Sequence, residues 1–68
     1  MPPLVGSSMA IVAGALRWQN AGEGSEARET LKELSDTDLD RAIALLVATA
    51  EEASKIRNAR QAKAAVYA

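Results

Sequence analysis

The stretch "SDTDLDRAIALLVATAEEASKIRNARQAKAAVYA", Ser35 to Ala68, is half of the chain and contains neither glycine nor proline. Read as one helix over residues 36–65, it is about 45 Å long at ~1.5 Å per residue. A compact domain of this size has a radius of gyration of only about 11 Å. The helix therefore outruns any core that the rest of the chain can wrap around it. Its start is marked locally: Ser35-x-x-Asp38 has the form of a capping box with Asp in place of Glu, and Leu34 and Leu39 occupy the two positions of a hydrophobic staple. Asp36, Asp38 and Asp40 add negative charge where a helix dipole favours it.

Within that helix Leu39, Ile43, Leu46, Ala50 and Ala53 recur at spacings of four and three, which is a heptad seam, with Leu45 and Val47 flanking it. Continued by heptads, the seam reaches Arg57, Arg60, Ala64 and Tyr67, so guanidinium groups interrupt its second half. Ile56 stands to one side as the aliphatic anchor of that half. The seam is expected to be core or oligomer contact, and Ile56, Arg57, Arg60, Lys63 and Tyr67 the partner-binding residues.

The preceding half of the chain predicts two shorter helices. Pro2 and Pro3 hold the start extended, and Ser7 or Ser8 can cap a helix over about 9–20. Its apolar residues, among them Met9, Ile11, Val12, Leu16 and Trp18, surround most of the cylinder, the pattern of a buried helix. Trp18 is expected to be its large anchor against the long helix. Gly22 and Gly24 supply the stop. Ser25 can cap a connecting helix over about 26–34, charged except at Leu31 and Leu34. The simplest packing lays the first helix antiparallel or obliquely on the first half of the long one, with the middle helix as connector and the second half of the long helix projecting from this one small domain.

Sixty-eight residues form a marginal core, which disulfides, metals or association must assist. Cysteine and histidine are both absent, leaving only oxygen-ligand metals, and no cofactor is expected. The aromatic residues are Trp18 and Tyr67 alone, against fifteen alanines, a composition that favours helix on helix. The run Leu4 to Leu16 is too short to span a bilayer and lacks the preceding positive charge of a secretory signal, so a cytoplasmic protein without membrane contact is expected. The net charge of −1 conceals a polarity: all nine acids lie within residues 1–52, whereas Lys55, Arg57, Arg60 and Lys63 follow with no acid. Such polarity suits head-to-tail self-association or an anionic partner, and it also complements a helix C-terminus.

Catalysis finds little support. The carboxylates fall mostly in helix-start or solvated contexts. Asp36, Asp38 and Asp40 alternate like a calcium loop, but Arg41 takes the sixth place, where glycine belongs, and Val47 the twelfth, where Glu belongs. A helix-turn-helix would present those same aspartates to phosphates, which they repel. Arg57, Arg60 and Lys63 cover an arc of about 120° that could track a phosphate backbone. The reading is thus an all-α, non-enzymatic interaction or assembly protein: a homo-oligomer that offers its C-terminal helix to a protein partner. Its alternative is a small regulatory accessory protein, of phage or bacterial type, whose basic stripe binds nucleic acid or an anionic partner.

Overall fold

The structure, a computed structural model, describes residues 3–67. Three helices follow one another with no strand among the described residues: α1 (Gly6–Asn20), α2 (Gly24–Leu31) and α3 (Asp36–Tyr67). The radius of gyration is 15.5 Å and the longest dimension 48 Å, which is the length of α3 itself at ~1.5 Å per residue.

α1 begins three residues before its expected start. Val5 is its extended N-cap and offers no side-chain hydrogen bond. Gly6, at φ +54°, turns the chain into the helix; a left-handed residue costs glycine nothing sterically. Ser7 and Ser8 consequently lie inside the helix, and neither caps it. Ser8 instead donates its hydroxyl proton to Asp38 Oδ2 at 2.6 Å, tying α1 to the start of α3.

The end of α1 is a Schellman turn. Glu23 N–H donates to the Trp18 carbonyl at 2.9 Å and Gly22 N–H to the Gln19 carbonyl at 3.0 Å, with Gly22 at φ +79°. These bonds satisfy carbonyls that the last helical turn leaves unpaired. The turn feeds straight into α2, which starts at Gly24 with Glu23 as N-cap and no side-chain cap, so Ser25 is not the cap expected of it. α2 also stops earlier than expected. Glu33 and Leu34 donate to the carbonyls of Thr30 and Leu31, tightening the chain out of the α-helix and turning Leu34 into the interior.

α2 is more than a connector, because α1 and α2 form the closest helix pair. Small residues permit it: Ala15 and Ala27 are both buried. α3 joins this pair only near its own start. Val12, Leu34 and Ala42 make the core cluster, with Leu4, Ile11, Leu31 and Leu39 half-buried against it.

The start of α3 agrees with its local signals. Ser35 Oγ accepts from Asp38 N–H at 3.1 Å, and Leu34 and Leu39 meet in the core as a staple. Only half of the box forms, however, since the Asp38 carboxylate is occupied by Ser8 and by Arg41 at 3.2 Å. Nor is α1 enclosed all round. Met9, Leu16 and Trp18 are exposed, so Trp18 is not the buried anchor expected of it; α3 leaves the α1–α2 pair too soon to cover that end.

Candidate functional surface on the C-terminal helix

Ala42 is the last buried residue among those described. From Val47 to Ala65 every residue is exposed except the half-buried Ser54. This length of helix is held by its own backbone hydrogen bonds and by local side-chain contacts. Lys55 pairs with Glu52 at 3.1 Å, and Thr49 bonds back to the Leu45 carbonyl. Both members of the Lys55–Glu52 pair are mostly solvated, so the pair adds little stability.

The seam residues do not share one environment. Leu39 and Leu46 are half-buried and form one wall of a cleft of about 670 Å³, whose other walls include Leu16 and Leu31. Ile43 is 59% exposed, and Ala50 and Ala53 lie in solvent beyond the reach of α1 and α2. The cleft itself escaped the sequence reading. Ala15, Gly24 and Ala27 also line it, small residues that carry no periodic apolar signal.

The expected partner-binding residues divide between two faces. At ~100° per residue, Ile56, Arg60 and Lys63 fall within an arc of about 60°, while Arg57 lies about 100° from Ile56, on the side of Ala50. Ile56 is 54% exposed. Arg57 Nε donates to Asn58 Oδ1 at 3.3 Å, and among the described residues no acid pairs with Arg57, Arg60 or Lys63. Tyr67 closes α3 as backbone, and the contact expected of its side chain lies outside the described residues.

The surface is thus a cationic and aliphatic stretch of helix. Among the described residues no three carboxylates converge on a cation position, and no helix is long and apolar enough to cross a membrane. Comparison with protein-family models, curated proteins and solved structures finds no match to this chain.

Proposed function

We propose that the protein acts without catalysis, as a small helical assembly protein that self-associates and presents the second half of α3 to a protein partner. The supporting observation is a helix whose buried residues end at Ala42 while Ile43, Val47 and Ile56 each stay more than half exposed. Isolated exposed aliphatics are ordinary on a monomer. Several on one uncovered helix, in a chain with so small a core, are the apolar surface that association removes from water. Ile56 with Arg60 and Lys63 supplies the presented face, the aliphatic group giving contact area and the cations selecting an acidic surface. Light scattering across a dilution series tests the self-association. The molar mass should exceed the monomer's 7.2 kDa, and helicity and melting temperature should fall on dilution, as mass action requires. A monomeric mass with a concentration-independent melt would overturn the reading.

A second reading draws on Arg57, Arg60 and Lys63, which pair with no acid among the described residues. A row of unpaired cations tracks phosphates, and nucleic-acid affinity would then fall steeply with salt, the slope dropping by about one for each contact removed. The overall charge of −1 weighs against it. A salt-sensitive mobility shift, lost in Arg60→Glu/Lys63→Glu at unchanged molar mass, would favour it over the first.

A further inference from the structure

Resting on the proposed self-association, we infer that the second copy pairs with α3 antiparallel, along the row Asp40, Ile43, Val47, Ala50, Ser54 and Arg57. These six residues recur at alternating spacings of three and four, the register of a coiled-coil seam. The row flanks the internal contact: Ile43 lies about 100° around the helix from the buried Ala42 and about 40° from the half-buried Leu39, and is 59% exposed. Val47 is 52% exposed, and Ala50 and Arg57 are likewise in solvent.

Two independent complementarities select the antiparallel orientation. The first is charge. The row opens at Asp40 and closes at Arg57, so reversing one copy sets Asp40 opposite Arg57 of the second copy at both ends of the contact. A parallel pair sets Asp40 against Asp40 and Arg57 against Arg57, and like charges repel. The second is size. In the same antiparallel register Ile43 faces Ser54 and Val47 faces Ala50, each larger side chain meeting a small one, which lets the helices approach and fills the layer. Antiparallel dipoles add in the same direction. Ile56, Arg60 and Lys63 point away from this row and stay available to another partner.

Because the chain has no cysteine, engineered thiols report the register without background. Under mild oxidation a mixture of Ile43→Cys and Ser54→Cys should give a mixed disulfide dimer, while each variant alone stays uncrosslinked. Like positions in this pairing are separated by about 16 Å along the axis, beyond disulfide reach. Since Ile43→Cys removes apolar surface, charge reversal provides a second reading: Asp40→Arg or Arg57→Asp alone should weaken association at least about tenfold, and the double swap should restore it. Same-site disulfides from each variant, or a dimer that forms neither kind of crosslink and shows no rescue, would overturn the antiparallel pairing while leaving self-association intact. A wild-type chain that is monomeric at every concentration would overturn both.

Discussion

Asp38 is the residue on which the start of α1 and the start of α3 meet. Its backbone N–H is satisfied by Ser35 Oγ, and its carboxylate receives Ser8 from α1 and Arg41 from its own helix. Hydrogen bonds to charged groups contribute more than neutral ones, about 1.5–3 kcal/mol each. Partial exposure places this one toward the lower end of that range. Ser8→Ala is therefore expected to cost about as much as Ser35→Ala, whose loss as an N-cap is about 0.5–2 kcal/mol. Urea denaturation of the two variants decides it. A neutral Ser8→Ala would mean that Arg41 alone holds the carboxylate. Val12 should outweigh both: it is fully buried, and Val12→Ala removes two methyl groups, about 1.6 kcal/mol at ~0.8 per methylene, before any cavity term. In a chain whose total stability is on the order of 0.1 kcal/mol per residue, that is a large fraction.

Among the elements, the turn between α1 and α2 gives the sharpest contrast between two glycines. Gly22 stands at φ +79° with open space where a Cβ would go, so Gly22→Ala loses through backbone strain alone, about 1–2 kcal/mol. Gly24 carries no positive φ, and its Cβ would meet only the Oε1 end of Gln19 at 3.3 Å, a flexible group that can move. Gly24→Ala should thus be neutral or stabilise by up to about 1 kcal/mol. Thermal melts of the two variants at one concentration check the pair, and equal losses would contradict the turn geometry. The same contrast explains what was readable in the sequence. The start of α3 could be placed from Leu34, Ser35 and Leu39 because cap and staple are made by neighbours in the chain. The starts of α1 and α2 could not, since one is made by the left-handed Gly6 with no side-chain cap to announce it, and the other by the Schellman turn delivering Gly24 directly into a helix. The α1–α2 contact was hidden for a related reason: Ala15 and Ala27 are buried but small, and smallness leaves no apolar period to read. The two-faced character of the candidate surface was legible in principle, because Ile56 and Arg57 are adjacent in sequence and hence ~100° apart on any α-helix.

At the scale of the whole molecule, stability must be graded along α3. Its first turns are fastened by the Leu34–Leu39 staple, the Ser8–Asp38 bond and buried Ala42, whereas beyond Val47 only local helix propensity and solvated pairs such as Lys55–Glu52 remain. Short helical segments without tertiary packing are marginal in water, although alanine is the best helix former and the segment is continuous with a nucleated helix. In a dilute, monomeric solution, amide hydrogen exchange should therefore be slowest around Leu39 to Leu46 and should quicken steadily towards Ala65, since opening of the distal turns leaves the core intact. Raising the concentration should then protect the distal amides selectively, because association adds packing where the monomer has none and leaves the first turns much as they were. The protection should be greatest between Ile43 and Arg57 if the antiparallel row forms the contact, and should diminish past Gln61. Uniform protection along α3 at the lowest concentration would show that the distal half needs no partner to hold it. Protection that grows only near Ile56, Arg60 and Lys63 would place the second copy on the face here assigned to another partner.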